Sequence, residues 1–210
     1  GDVPEGWLVC AVKFAVDVRD GTHDTPMYVE ESEETYPLVT SKDIQSGAIS
    51  LNKCKFISKS DYLQIAKRSA VACGDIVMPM IGTIGNPAIV ELDTPFGIKN
   101  VALFRTSVSK YITAQYLLYC LQSELTKKQF DLETRGGVQS FVSLGVLRSL
   151  VVVLPSNDEQ ESIVNYVMSE VGRLDEVVAR AEGAVSLLKE RRTALISAAV
   201  TGKIDVREAV

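Results

Sequence analysis

Hydrophobic positions follow two different rules along this chain. Between Ser156 and Ala199 they recur at alternating steps of three and four: Val164, Val167, Val171, Leu174, Val178, Ala181, Val185, Leu188 and Leu195, with Arg192 as one polar interruption. That alternation is a heptad seam, the stripe by which one helix packs against another. Pro155 ends what precedes it, and Ser156 with Glu159 three residues on has the form of a capping box. Gly202 marks the stop, with Arg191, Arg192 and Lys203 placed to meet the negative end of the helix dipole. At 1.5 Å per residue the helix would run roughly 60–65 Å, about twice the width of a small domain. Much of it is therefore expected to project beyond the body made by residues 1–155, and its seam needs a partner helix that this chain does not offer.

Before Pro155 the apolar runs are short and separated by turn signals. Residues 7–18 are apolar and β-branched, suiting a strand or a short helix. Asp20–Pro26 breaks regular structure, Tyr36–Thr40 reads as a strand and Ser41–Ile44 as a turn. Ser60–Ser69 has the cap and spacing of a short amphipathic helix. Ala72–Ile81 reads as a buried strand, Gly82–Pro87 as a turn, Ala88–Leu92 as the returning strand and Asn100–Arg105 as another. Thr113–Gln129 suits a second helix with Tyr116, Leu117, Cys120, Leu121 and Leu125 inward. A glycine-bearing polar loop follows from Glu133 to Ser140, and Val151–Leu154 closes the body as a strand. The predicted fold class is α+β: a mixed-sheet domain over residues 1–155, then one long helix and a short tail over 156–210.

Composition changes this picture little. At 210 residues and 46% hydrophobic the chain can bury a core of ordinary size plus an appendage. No run of 18 apolar residues and no basic-then-apolar leader is present, and the start on Gly1 suits a processed or excised chain. Cys10, Cys54, Cys73 and Cys120 are far apart, without a CxxC pair, and His23 is the only histidine, so no metal site is expected. The cysteines read as reduced core residues of a cytosolic protein. A net charge of −5 speaks against a nucleic-acid partner taken alone, yet charge is uneven: Glu30, Glu31, Glu33 and Glu34 form one acidic loop, while Lys53, Lys55, Lys59 and Lys67, and Lys127 and Lys128, are basic islands. Global charge does not decide the matter.

The search for catalysis fails. There is no GxxxxGK[ST], no GxSxG, and Gly82-Thr-Ile-Gly85 lacks the third glycine of a dinucleotide fingerprint. His23 beside Asp24 has no nucleophile partner and reads as a hydrogen-bonding loop residue. What remains is a binding module whose polar loops carry groups able to pair with base edges or phosphates: Thr22 and His23, Ser41 and Lys42, Asn100 and Arg105, then Arg135, Gly136, Gly137, Gln139 and Ser140, with Ser143 beyond them.

Several segments resemble the specificity subunit of type I restriction–modification systems. They are Val3-Pro-Glu-Gly-Trp7, Asp17-Val-Arg-Asp-Gly-Thr-His23, Pro37-Leu-Val-Thr-Ser41, Gly74-Asp-Ile76, Gly82-Thr-Ile-Gly85 and Gly136-Gly-Val-Gln139. Leu154-Pro-Ser-Asn-Asp-Glu-Gln160 and Leu188–Ile196 running into Ala199–Asp205 complete the set, and its order along the chain is the specific part. The resemblance implies a target recognition domain that reads one half-site of a bipartite double-stranded DNA target without catalysis. It implies a helix that spaces two such domains and docks the modification subunits, which carry the S-adenosylmethionine chemistry, and through them the restriction subunit. This chain has one recognition domain and one helix, as a half-subunit would, natural or excised. Two copies pairing as an antiparallel coiled coil would restore a pseudo-complete subunit and make the target an inverted repeat. Two other readings stand beside it: a coiled-coil protein–protein adaptor that binds no nucleic acid, and a fragment of a fused restriction–methylation enzyme.

Overall fold

The computed structural model describes residues 3–82, 85–133 and 141–204. In chain order the elements are β1 (Leu8–Ala11), α1 (Val12–Ala15), β2 (Val18–Asp20), β3 (Tyr28–Val29), β4 (Thr35–Val39), β5 (Ile44–Gln45), β6 (Ala48–Ile49), β7 (Lys55–Ser58), α2 (Lys59–Ser69), β8 (Ile76–Pro79) and β9 (Ala88–Ile89). After them come β10 (Gly97–Ile98), β11 (Val101–Phe104), α3 (Ala114–Gln122), α4 (Glu124–Glu133), α5 (Leu144–Ser149), β12 (Val151–Leu154) and α6 (Asn157–Val200). The mixture of sheets and helices, closed by one long helix, is the α+β class expected.

Two four-stranded sheets carry the body, ordered β2-β11-β8-β9 and β10-β4-β7-β3. The first is antiparallel; the second is mixed, because β10 runs parallel to β4 while β4 and β3 run antiparallel to β7. Every residue of β8 and β11 is buried, which explains why both read as unbroken apolar runs. Prolines stand where their missing N–H costs no ladder bond. On the β9 side Pro79 lies beyond Val77, the last paired residue, and on the β10 side Pro37 lies before Leu38, the first. Val77, Leu103, Val101 and Ile98 pack with Val39 and Phe96 in the main core, and α2 lays Ile65 on Leu38 and Ile57. There the rings of Tyr36 and Tyr62 stack with centroids 4.1 Å apart.

Buried polar groups tie strand ends together. The Asp75 carboxylate, fully buried, accepts from the Ala72 N–H (3.0 Å), the Ser107 N–H (3.1 Å) and the Ser107 hydroxyl (2.6 Å). Its neighbour Gly74 sits at φ +84°, a conformation that glycine adopts without strain. The Gly74-Asp75 pair is thus a structural joint between the start of β8 and the turn after β11.

The long helix begins and ends as its sequence predicts. The Ser156 N–H and hydroxyl donate to Glu159 Oε2, and the Glu159 N–H donates back to the Ser156 hydroxyl. With the Trp7 indole donating to its other oxygen, these bonds hold the exposed Glu159 carboxyl below the usual carboxylate range. At the far end Gly202, at φ +72°, closes a Schellman motif in which the Lys203 N–H donates to the Ala198 carbonyl (2.9 Å) and the Gly202 N–H to that of Ala199 (3.2 Å). Contacts divide the chain into Gly1–Ile163 and Val164–Val210, so the first turns of α6 belong with the body. Gln160 explains why. Fully buried, it accepts from the Thr113 N–H (2.9 Å) and donates to the Tyr111 (2.8 Å) and Pro155 (3.2 Å) carbonyls.

Five expectations are corrected. The helix predicted over Thr113–Gln129 is two helices, because the Ser123 and Thr126 hydroxyls both donate to the Cys120 carbonyl and end the first. Leu125, expected inward, is therefore exposed, and Cys120 is only half-buried. Cys73, expected in the core, is exposed on the turn before β8, whereas burial pushes the Cys54 thiol up to about 12. The strand expected over Ala88–Leu92 pairs only through Ala88 and Ile89. Strands β3, β5, β6, β7 and β10 and helix α5 were not anticipated. No helix among the described residues is long and apolar enough to cross a membrane.

Replacing Gln160 by leucine keeps the volume but strips partners from one buried N–H and two carbonyls. The expected loss is about 2–4 kcal/mol of stability, read as a lower urea midpoint at unchanged slope.

Candidate nucleic-acid interface

Main-chain pairing outside the regular strands builds the candidate site. The Thr22 N–H donates to the Ile98 carbonyl and the Asn100 N–H to the Thr22 carbonyl, each at 3.0 Å, so the segment after β2 is zipped to the link between β10 and β11. The Lys99 N–H donates to the Val39 carbonyl (2.9 Å), which adds the end of β4. There Thr40 caps a single 3₁₀ turn, Ser41–Asp43, and its N–H and hydroxyl both donate to Asp43 Oδ2 at 2.8 Å. Three segments distant in sequence thereby bring Thr22, His23, Ser41, Lys42 and Asn100 to one face.

The close approach demands glycine at one position. A Cβ on Gly21 would lie 2.2 Å from the Ile98 carbonyl oxygen, far inside contact distance. Asn100 is the second special residue: its φ of +54° is left-handed, a region in which asparagine is tolerated.

Side chains then form a chain of bonds around His23. Its Nε2 lies 3.0 Å from Asp20 Oδ2 and its Nδ1 lies 2.9 Å from Asn100 Oδ1. Both partners are oxygens, an arrangement that the protonated ring satisfies by donating from both nitrogens. The Asn100 and Asp20 bonds, in that order, raise the His23 pKa above its ordinary value against a smaller opposing effect of burial. Asp20 is itself buried, and its other oxygen accepts from Arg68 Nη2 on α2. One buried carboxylate therefore anchors both His23 and Arg68.

Asn100, Ser41 and Lys42 open onto a cleft of about 390 Å³ also lined by Tyr28, Thr40, Asp43, Lys53, Lys55, Ile81 and Lys99. Four lysines stand there against one aspartate, whose carboxylate is already engaged by Thr40. A chain of net charge −5 thus presents a locally cationic cleft. Lys99 donates to the Thr25 hydroxyl across the rim. Lys53, Lys55, Lys99 and Arg68 were not among the predicted site residues. The first two belong to the basic island visible in the sequence, but only the β4–β7 register, with Lys55 opposite Leu38, brings it beside Lys42.

Arg105 is not at this cleft. It follows the last residue of β11, about 16 Å of extended chain from Asn100, and its Nη1 pairs with Asp17 Oδ2 at 3.5 Å. Ser143 N-caps α5. Arg135, Gly136, Gly137, Gln139 and Ser140 lie outside the described residues. No three His, Cys, Asp or Glu side chains gather as a metal site would among the described residues.

The shift at His23 has a definite pH sign. A pKa raised by folding means that the network's contribution to stability is full below the unfolded histidine value, near 6.5, and is lost as pH rises through the folded value. The single histidine makes this directly observable. Its NMR titration is expected above the ordinary value and should drop in Asp20→Asn, and the denaturant midpoint of the wild type should decline across the same pH range.

No family model matches the chain. Over 99% of its length it is 27% identical to the MjaVIII type I restriction enzyme specificity subunit of Methanocaldococcus jannaschii, and over 98% it is 25% identical to the EcoBI specificity subunit of Escherichia coli. These alignments cover 48% and 43% of the two relatives, so the chain spans about half the length of the curated relatives it matches. In structure it superposes with a TM-score of 0.67 on a chain from work on assembly and conformational transition of the type I R-M system, at 17% identity over 95% of this chain and 47% of that one. The HsdS subunit of Thermoanaerobacter tengcongensis follows with a TM-score of 0.62 and 18% identity, over 84% of this chain and 41% of that one. Sequence and fold point the same way: over nearly its whole length the chain is similar to type I restriction enzyme specificity subunits, and it spans about half of theirs.

Proposed function

We propose that this chain recognises one half-site of a bipartite double-stranded DNA target as the specificity component of a type I restriction–modification complex, and that it performs no catalysis itself. The observation that carries this reading is the lysine-lined cleft at the converging ends of β2, β4 and β11, which supplies the cation density that phosphates require. Its relatives are named as specificity subunits, which favours this reading over a free-standing coiled-coil adaptor. Residues 1–155 form the recognition domain, and the helical region 156–210 is the spacer and the dock for modification subunits, with the restriction subunit bound through them. S-adenosylmethionine belongs to those modification subunits, and the complex works in the cytoplasm. Because the whole chain is acidic, it binds DNA weakly alone and more tightly with its methyltransferase partner.

The helix needs a partner of its own kind. Val171, Leu174, Val178, Val185, Leu188 and Leu195 of the seam are exposed, and Val178, Ala181 and Val185 line a shallow depression that suits an incoming apolar side chain. Gly172 and Gly183 cost about 1 kcal/mol each relative to alanine inside a helix, and a Cβ at either would meet nothing within 4 Å. Exposed pairs such as Arg173–Glu170 and Arg180–Glu176 return only about 0.3–0.5 kcal/mol each. Packing must supply the rest. Two copies pairing antiparallel through this seam satisfy it and hold two recognition domains on one inverted repeat.

Two experiments test these claims. In an anisotropy titration log K should fall linearly with log salt, with a slope of about −0.9 for each phosphate neutralised. Lys53→Ala and Lys55→Ala should each lower that slope by about one and weaken binding to all duplexes alike. An unchanged slope in both would remove the cleft from the interface. Val178→Asp should halve the mass seen by light scattering while leaving the domain's denaturation midpoint in place. An unaltered mass would exclude the helix seam as the dimer contact.

A further inference from the structure

Within the DNA reading above, we propose that the Asn100 end of the lysine cleft is a sequence-blind phosphodiester clamp, in which Asn100 Nδ2 donates to a backbone oxygen and His23 positions that amide. Asparagine in a DNA-facing loop suggests an adenine reader, which uses its carbonyl oxygen and its amide nitrogen side by side. Here that arrangement is broken. The Asn100 oxygen is turned onto His23 Nδ1, leaving the two donors of Nδ2 to meet a ligand. No hydrogen bond joins that Nδ2 to any of the described residues. The cleft in front of it is cationic through Lys42, Lys53, Lys55 and Lys99, so the acceptor that best matches donor and charge together is an anionic oxygen.

The geometry behind the amide is unusually well fixed. Asn100 sits in a left-handed conformation, its N–H is committed to the Thr22 carbonyl and its carbonyl accepts from the Met80 N–H. His23 is held in turn by buried Asp20, which Arg68 also binds. A residue with so little freedom suits a register-fixing contact with the invariant backbone.

The clamp is also proton-linked. The groups facing His23 are Asp20 from β2, Arg68 from α2 and Asn100 from the β10–β11 link; Asp24 follows it in its own loop and Lys99 adjoins Asn100. When the ring loses its proton, Nε2–H stays on the Asp20 carboxylate, and Nδ1 becomes an acceptor facing the Asn100 oxygen. The Asn100 amide must then turn, and its carbonyl rather than its donors faces the phosphate. Affinity for every duplex should fall together as pH rises through the His23 titration.

The test uses the full chain with its methyltransferase partner at low salt. Binding is measured to a randomised duplex pool and to duplexes selected from it, from pH 6 to pH 8.5. Asn100→Ala and His23→Leu should each weaken binding about tenfold for all sequences at the acid end, as expected for loss of one charge-assisted bond. They should leave the selected sequence unchanged, and the double variant should be no worse than Asn100→Ala. The wild type should approach the variants as pH rises, whereas His23→Leu should show no such step. His23→Gln, which can still donate to Asn100, should restore affinity without restoring the step. A changed base preference in either variant, or a wild-type pH profile parallel to that of His23→Leu, overturns the clamp while leaving DNA recognition intact. A wild type that binds no duplex overturns the DNA reading and the clamp with it. Should the variants fold poorly, the wild-type pH profile set against the NMR titration of His23 decides alone.

Discussion

The candidate face depends on one close approach, the Gly21 backbone against the Ile98 carbonyl. Any side chain at position 21 would place a carbon 2.2 Å from that oxygen, and the segment after β2 would have to lift away. With it would go the Thr22 bond to Ile98 and the Asn100 bond to Thr22, the two links that bring His23 onto Asn100. Because Lys99 in turn bonds Val39, the same contact governs where the Thr40-capped turn and Lys42 lie relative to Asn100. The glycine of the Asp20-Gly21-Thr22-His23 segment is thus a condition on backbone spacing, and the chemistry sits on the residues around it.

Electrostatics at the face are organised by what is buried. Asp20 is almost wholly shielded, and a carboxylate there is tolerable only if its lone pairs are filled. His23 and Arg68 fill them, so the buried carboxylate holds a guanidinium and, when protonated, an imidazolium at the surface. Across the cleft, Asp43 accepts from Thr40 and keeps its charge, but four lysines face that single acid. The local excess of lysine explains how a chain of net charge −5 offers a cleft suited to an anion.

How much of this the sequence discloses depends on how local each feature is. The long helix was legible to the residue at both ends, because a heptad seam, a Ser156–Glu159 capping box and a Gly202 Schellman stop are all short-range signals. Strands β8 and β11 were legible because complete burial leaves continuous apolar runs. The Thr113–Gln129 region misled because its apolar spacing continues through Ser123, while two hydroxyls onto one carbonyl end the helix there. At the site, residue types were readable but neighbourhoods were not. Asn100 and Arg105 looked like one pair, yet they occupy opposite ends of a buried strand. Lys53 and Lys55 looked like a solvated island until the β4–β7 pairing set them beside Lys42.

The motifs that carry the family resemblance divide along the same line. Trp7, from the first of them, donates to Glu159 in the last before the helix, and Gln160 of that last segment fills the buried gap at the start of α3. Gly74-Asp75 joins a strand to a turn. These three are joints, and joints are what a scaffold must keep whatever its target. The Gly21–His23 segment is different in kind: it contains one joint, Gly21, and one side chain, His23, whose only described partners are another loop residue and a buried acid. Asp20 is paired by Arg68 as well as by His23, so its burial does not by itself require the ring, and His23 stands with the candidate interface because its other partner, Asn100, lines the lysine cleft.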